Sequence, residues 1–373
     1  MALIIVLSVF NGLEVFIQGL YSNFDPQLKV VPVEGKSFHF DETTKHKLES
    51  IEGVAVVTEI IEDNAFIRYT DKEMVVTIKG VGENYQKLGL LQNNIVEGEF
   101  KLRQNEKNFA VIGRGVQYSL SLDVDNDFYA LQVYYPKRDA RSSSFNIQNM
   151  VNRKLINTAG IFAIEKQYDI KYVIVPISFA EELMQYDGKR TSLEISVLEN
   201  ARIQSVESEL QKQLGSSFKV LNQDEQHATL LKVLKIEKLF VYVAFSFILF
   251  IASFNIFFSL VMLVIEKKKD IAVLYAMGAG DSIIKRIFFL EGAIIAVIGS
   301  AIGMVLAFIL LWLQQEYGFI GMGMETSLIQ AYPVKMNPQD FLVTGITILI
   351  ITIGSSLRPA RSATKWNIKE SLG

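Results

Sequence analysis

The 373-residue sequence contains no cysteine, which excludes disulfide bridges, thiolate zinc sites and cysteine nucleophiles. Histidine is scarce: His39, His46 and His227 are scattered, with no spacing that would hold a metal ion. No Gly-x-x-x-x-Gly-Lys-Ser/Thr run occurs, so the chain lacks the loop that cradles ATP phosphates. Gly80-Val81-Gly82 and Gly278-Ala279-Gly280 are isolated Gly-x-Gly pairs and read as turns. The net charge is only −3 and no basic stripe interleaves with aromatics, so nucleic acid is not an expected partner. Nothing marks a nucleophile among the many Ser, Asp and Glu residues. No enzymatic activity, catalytic residue, cofactor or bound metal is expected.

What the sequence does have is hydrophobicity, unevenly placed. Residues 25–235 carry charges throughout, whereas 239–357 is dominated by long uncharged runs. Crossing a hydrocarbon core about 30 Å thick takes roughly 20 apolar residues. The run 239–265 meets this without a charge, 287–313 meets it with one acid, Glu291, and 341–357 is a shorter span. Residues 1–20 are a further apolar stretch, but the first basic residue is Lys29, so the basic start of a signal peptide is missing. This stretch reads as the outer part of a first transmembrane helix whose beginning lies outside the sequence.

Orientation follows from the basic residues. Lys267, Lys268, Lys269, Lys285 and Arg286 in the 266–286 connection, and Arg358, Arg361, Lys365 and Lys369 in the tail, place both segments in the cytoplasm. The 314–340 connection holds only Lys335 and, with the large insertion, lies outside. The expected fold is an α-helical transmembrane bundle of four helices, the first incomplete at its N-terminus. A large mixed α+β domain is inserted between helices 1 and 2.

Within the insertion, Gln27–Val33, Val54–Ile61, Asn64–Tyr69, Glu73–Lys79, Tyr172–Val175, Leu193–Val197 and Phe218–Leu221 have strand patterning. Phe128–Tyr135 and Leu155–Phe162 look like two strands joined by the charged loop Pro136–Lys154. Glu42–Ser50, Pro176–Met184 and Ala201–Leu214 read as helices. No Gly or Pro occurs between Gly215 and Gly278. One helix from about 224 to 265 would therefore run roughly 60 Å, with its first four turns as a stalk outside the membrane. A break near Glu237–Lys238 is the alternative.

The connection Glu266-Lys-Lys-Lys-Asp270-Ile-Ala-Val-Leu-Tyr-Ala-Met277-Gly278-Ala279 is basic and then amphipathic, with Ile271, Leu274, Tyr275 and Met277 on one face. A helix on the membrane surface and a coupling helix seated on an ATPase both fit it, and periodicity does not choose. In the third span Gly292, Gly299 and Gly303 offer a close-packing face. Glu291 is placed near that helix's start, where the dipole favours an anion. Phe247, Phe250, Phe254 and Phe257 share one face of the second span, as Val6, Phe10, Leu13 and Ile17 do on the first. Ordinary lipid or helix contact and a path for an apolar substrate both account for these faces.

Several of these stretches carry a resemblance. Residues 266–279, Ile284-Lys-Arg-Ile-Phe-Phe-Leu-Glu291-Gly292 and Gly299-x-x-x-Gly303 resemble the FtsX-type permease signature. Met1-Ala-Leu-Ile-Ile-Val-Leu-Ser-Val-Phe-Asn-Gly-Leu13, Ala252-Ser-Phe-Asn-Ile256, Tyr332-Pro-Val334 and Arg358-Pro-Ala-Arg361 resemble the LolC/LolE family of lipoprotein-releasing ABC transporter permeases. The likeness spreads over nearly the whole chain. In the outer domain it rests on layout and short pieces such as Ala159-Gly-Ile-Phe162, and the family's cytoplasmic start is not matched.

The resemblance implies a MacB-like periplasmic core domain with a stalk at 25–235 and an FtsX-like permease domain at 236–373. It implies an inner-membrane complex with an ABC ATPase subunit and a second permease copy or paralogue. The implied substrates are acylated lipoproteins, drawn from among the membrane lipids and passed to a periplasmic lipoprotein chaperone. On this basis Pro136, Lys137, Arg138, Arg141, Arg153 and Lys154 form a chaperone-docking loop. Lys269, Ile271, Leu274, Tyr275, Met277 and Gly278 form the ATPase-coupling segment, and the two apolar helix faces line an acyl path. A mechanotransmission permease of the FtsX or MacB kind would need the coupling segment without the path or the docking loop. A membrane receptor would need a larger cytoplasmic portion than the tail after Leu357.

Overall fold

The computed structural model describes residues 1–22, 24–124, 128–137, 150–321 and 331–362. They fall into two units, one made of Met1–Ile17 with Thr229–Gly373 and the other of Gln18–Ala228. Helix α1 (Ala2–Ser22) is long and apolar enough to cross a membrane. Leu3, Ile4, Leu7, Ser8, Asn11 and Gly12 make its buried face, leaving Val6, Phe10, Leu13 and Ile17 half-exposed.

The unit 18–228 is a long twisted sheet with the helices Glu42–Glu49, Arg114–Leu120, Ile177–Met184 and Ile203–Leu214 on one side. In chain order it contains β1 (Leu28–Pro32), β2 (Phe38–His39), α2 (Glu42–Glu49), β3 (Val54–Tyr69), β4 (Lys72–Val81) and β5 (Ile95–Gly98). Then come β6 (Arg103–Gln104), β7 (Lys107–Gly113), α3 (Arg114–Leu120), β8 (Leu131–Pro136), β9 (Val151–Phe162) and α4 (Lys166–Asp169). It closes with β10 (Tyr172–Pro176), α5 (Ile177–Met184), β11 (Lys189–Arg190), β12 (Ser192–Val197), α6 (Ile203–Leu214), β13 (Phe218–Asn222) and α7 (Gln223–Gln226). The main path runs β13-β1-β12-β3-β4-β10-β7-β9-β5, with β8 bridging β3 and β9.

Alternation along the strands sends odd residues of β3 toward the helices. Ile61, Ala65, Ile67 and Tyr69 pack with α3 and α5, while Val57 joins Leu193 and Ile195 under α2 and α6. Helix α2 starts where Asp41 accepts from the Thr44 amide, and bonds from Thr44 and Thr43 hold that carboxyl down at about 2. The sequence pattern divides β3 at residues 62–63, but the strand is continuous. Glu62 pairs in register with Lys79 and takes the Tyr172 hydroxyl, and Asp63 takes the Tyr135 hydroxyl, so these acids are accommodated within the ladder. Strand β7, placed between β10 and β9, has no counterpart in the sequence reading.

Both ends of this unit meet at Asp25. Its Oδ2 takes hydrogen bonds from the Tyr168 hydroxyl at 2.8 Å and contacts His227 Nε2 at 2.6 Å. Tyr21 stacks on the His227 ring at 3.5 Å between centroids. The side chain of Gln223 donates to the Asp25 carbonyl, that of Gln226 to the Pro26 carbonyl, and Gln18 to Asp224. His227 has φ −111° and ψ 23°, which separates α7 from the next helix. The single helix expected from 224 is therefore interrupted, at His227 rather than at Glu237–Lys238.

Helix α8 (Ala228–Glu266) continues unbroken through Glu237–Lys238, about 58 Å for its 39 residues. Short α9 (Lys268–Ala276) follows, then α10 (Asp281–Tyr317) and α11 (Pro338–Ser362). With α1, the long helices α8, α10 and α11 are the four candidate spans among the described residues. Because α10 begins at Asp281 with Gly280 as its N-cap, Glu291 lies almost three turns inside it. The dipole role expected for Glu291 falls to Asp281 instead, since that effect fades beyond the first turn.

Burial alone would raise the Asp25 pKa, but bonds from His227 and Tyr168 outweigh it and hold the carboxyl below its usual value. A carboxyl with a depressed folded pKa stabilises the fold above the unfolded value of about 3.9, and that contribution disappears as pH falls through the lower folded value. Asp25→Asn is therefore expected to lower the unfolding temperature at neutral pH, with the gap to wild type closing below about pH 4. Thermal unfolding in detergent as a function of pH checks this, and a gap independent of pH would contradict it.

Candidate functional site

Three surfaces carry the residues singled out from the sequence. In the unit 18–228 the helix-free face of the sheet is open around β4, β3, β8 and β9. Cross-strand register places Val75, Phe66, Tyr134 and Arg153 in one row and Glu73, Arg68, Gln132 and Leu155 in the next. Val75 and Leu155 are 65% and 57% exposed. The Tyr134 ring has the Arg68 guanidinium 6.0 Å from its centroid and that of Arg153 at 5.9 Å, while Arg68 also forks onto Glu73 at 2.7 Å. An apolar patch rimmed by arginines on a rigid sheet suits protein recognition.

This face adjoins the strand ends that carry the charged loop. Arg138 and Arg141 lie outside the described residues; β8 ends at Pro136, and the Lys137 amide bonds the Met150 carbonyl. Arg153 and Lys154, expected in the loop, lie within β9 because that strand already starts at Val151. Arg153 points to the open face. Lys154, one residue on, points to the other, where it pairs with Glu182 of α5 and lies over Phe179. The strand's period of two separates the two cations. Sequence patterning gave no sign of Arg68, Phe66 and Val75, because their place on this face depends on the β3–β8 pairing of distant segments.

In the other unit, α9 is divided by its own packing. Ile271 is buried against Val264, Ile284 and Phe288, with Tyr275 packed beside it. The Tyr275 hydroxyl bonds Asp281 at 2.8 Å, and Leu274 is half-buried. These three residues hold α9 to the bundle. Lys269, Val273 and Met277 are exposed at four-residue spacing and form the free face. Gly278, at φ +92°, ends the helix with amide bonds from Gly278 to the Tyr275 carbonyl and from Ala279 to the Leu274 carbonyl.

The spans place the two predicted apolar faces on accessible surface. Phe247, Phe250 and Phe254 of α8 are exposed and Phe257 is half-exposed. Of the three glycines, Gly292 is the tight one: a Cβ there would lie 2.7 Å from Ser356 Cβ and 3.2 Å from Leu260. Gly299 and Gly303 instead line a cavity of about 300 Å³ together with Ile4, Leu249, Ser253 and Ile351.

A polar tie absent from the sequence reading links α1, α8 and α11. Asn11 donates to Asp340 Oδ2 at 2.6 Å and to the Lys335 carbonyl at 3.3 Å, while Lys238 donates to Asn11 Oδ1 at 2.7 Å and lies 3.5 Å from Asp340. The Lys335 amide bonds the Ser8 carbonyl, laying the 332–335 segment across α1. That approach requires Gly12, where a Cβ would fall 2.3 Å from the Pro333 carbonyl oxygen. The available signals were Asn11 in an apolar run and Lys238 at the margin of the next.

Gly12→Ala is expected to destabilise the chain by about 1–3 kcal/mol through this overlap. Asp340→Ala, which strips a partly buried Lys238 of its counter-charge, is expected to cost about as much. Unfolding temperatures in detergent check both, with Gly19→Ala as control because a Cβ there meets nothing within 4 Å.

The chain is similar to several known proteins. The family model for the FtsX-like permease C-terminal domain matches residues 242–368. The lipoprotein-releasing system transmembrane protein LolC of Buchnera aphidicola is 23% identical over 368 residues, covering 97% of this chain and 87% of its own length. LolE of the same kind of system in Haemophilus influenzae is 21% identical, covering 97% of this chain and 88% of its own length. Among solved structures, the periplasmic region of MacB from Actinobacillus actinomycetemcomitans matches with a TM-score of 0.39 at 11% identity, covering 56% of this chain and 94% of that one. The last third of the chain thus matches the FtsX-like permease C-terminal model, and nearly the whole chain is similar to the LolC and LolE transmembrane proteins.

Proposed function

We propose that this protein is the permease subunit of an ABC transporter that extracts lipoproteins from the inner membrane and hands them to a periplasmic chaperone. ATP hydrolysis takes place in a partner subunit. The observation that carries this reading is the extent of the likeness to LolC, which covers 97% of the chain and so includes the inserted domain as well as the permease helices.

On this reading the basic 266–286 connection and the tail are cytoplasmic and the unit 18–228 is periplasmic. The exposed side chains of α9, Lys269, Val273 and Met277, seat in the ATPase, while Ile271 and Tyr275 transmit its motion to α8 and α10. A second permease copy or paralogue completes the complex. The apolar faces of α1 and α8 receive the acyl chains of the lipoprotein. The sheet face around Tyr134, with the connection between β8 and β9 beside it, receives the chaperone. A second reading, a mechanotransmission permease of the FtsX or MacB kind, is favoured by the family match to 242–368. It uses α9 in the same way but needs neither an acyl path nor a chaperone face.

Two variants separate these roles. Val273→Asp with Met277→Asp is expected to uncouple ATP hydrolysis from release, lowering release at least about tenfold. Tyr134→Asp is expected to leave ATP hydrolysis near the wild-type rate and to weaken chaperone transfer on the order of thirtyfold, the loss of one hot-spot side chain. Transfer at the normal rate with Tyr134→Asp would remove the sheet face from the account. Normal lipoprotein release after depletion of this permease, with no paralogue present, would remove the leading reading altogether.

A further inference from the structure

The same face of the sheet as the open patch holds a second group of polar residues, and these are enclosed. Lys79 and Glu194 are 2% and 0% exposed, and Lys79 Nζ stands 2.8 Å from Glu194 Oε1. The other carboxylate oxygen, Oε2, has no hydrogen-bond partner among the described residues. Thr58 lies directly across the strand pair from Glu194, and Ser192 lies two residues before it on the same face of β12. Tyr85 brings its ring to within 5.2 Å of Lys79 Nζ. Among the described residues, the hydroxyls of Thr58 and Ser192 have no hydrogen-bond partner, and that of Tyr85 is within reach of Lys79 alone. So many enclosed polar atoms are costly if they stay dry, and groups of this kind hold ordered water.

An aromatic ring lies over the Lys79 end of this group. Phe24 lies 4.6 Å from Lys79 Nζ and packs on Tyr168 and Tyr172 at 4.2 and 4.7 Å. It belongs to the segment leading out of α1, whose other anchors, Tyr21 and Asp25, are both held by His227. We propose that Thr58, Lys79, Tyr85, Ser192 and Glu194 form a water-binding site closed at its Lys79 end by Phe24, and that release of Tyr21 and Asp25 from His227 opens it to solvent. An ammonium group, three hydroxyls and a carboxylate supply both donors and acceptors to water. No group of three His, Cys, Asp or Glu residues suited to a metal ion occurs among the described residues. The polarity has a mechanical consequence. Lifting an aromatic cover from an apolar core exposes only hydrocarbon, whereas lifting it here returns an ion pair to water, so the open form is reached more easily.

The absence of cysteine makes a direct test available. Ser192→Cys, as the single thiol in the full-length protein in proteoliposomes, is reacted with methyl methanethiosulfonate. The rate is measured alone, with Phe24→Ala, and with His227→Gln, which alters neither the cover nor the site. Ala110→Cys, in the core on the opposite face, serves as control. Slow labelling of Ser192→Cys is expected, rising on the order of tenfold with either second substitution while the control stays slow. Equal rates for Ser192→Cys in all three backgrounds would overturn the proposal. So would equal acceleration of the Ala110→Cys control, which would indicate general loosening. Should Phe24→Ala fail to fold, the His227→Gln arm decides by the same criteria.

Discussion

The Asp25 carboxylate fixes the geometry on which the unit 18–228 depends. This unit brings its first and last segments together. Here one buried acid gathers the outgoing and returning segments, through Tyr168 and His227 on its side chain and Gln223 on its carbonyl. Burial opposes the charge and the donors sustain it, so the junction stands or falls as a network rather than as separate contacts. The break in helical geometry at His227 belongs to the same network, because the residue that ends α7 also supplies the ring stacked on Tyr21.

From that junction the sheet presents two unlike faces. One is filled by the apolar sides of α2, α3, α5 and α6. The other changes character along its length, from an enclosed ion pair near Phe24 to an open patch around Tyr134. Near Phe24 the Glu194 carboxylate keeps Lys79 charged although burial favours the neutral amine. In the membrane unit a comparable economy of polar groups appears: Asn11, Lys238 and Asp340 satisfy one another and tie three helices together.

How much of this the sequence revealed depends on the range of the interaction. The spans were legible because a helix in lipid must be apolar along its whole length, a property of contiguous residues. Helices α2, α5 and α6 and most strands around β3 were likewise legible from patterning, although β3 itself read as two strands. What was not legible needed distant pairing. The β3–β8 register that puts Arg68 beside Tyr134, the division of α9 into inward Ile271 and outward Val273, and the approach of Pro333 to Gly12 all join residues far apart or on one short helix. Glu291 was misplaced for a related reason: the apolar run marks the bilayer-sized part of α10, whereas the helix itself starts at Asp281.

The proposed role in lipoprotein release is tested most directly by reconstituting the permease in proteoliposomes with its ATPase, its second permease subunit and a triacylated lipoprotein. The quantity to follow is lipoprotein appearing in the soluble fraction with the chaperone. The account predicts release that requires ATP, the chaperone and this permease together. Steady ATP hydrolysis by the assembled complex without any lipoprotein leaving the membrane would contradict it and favour the mechanotransmission reading.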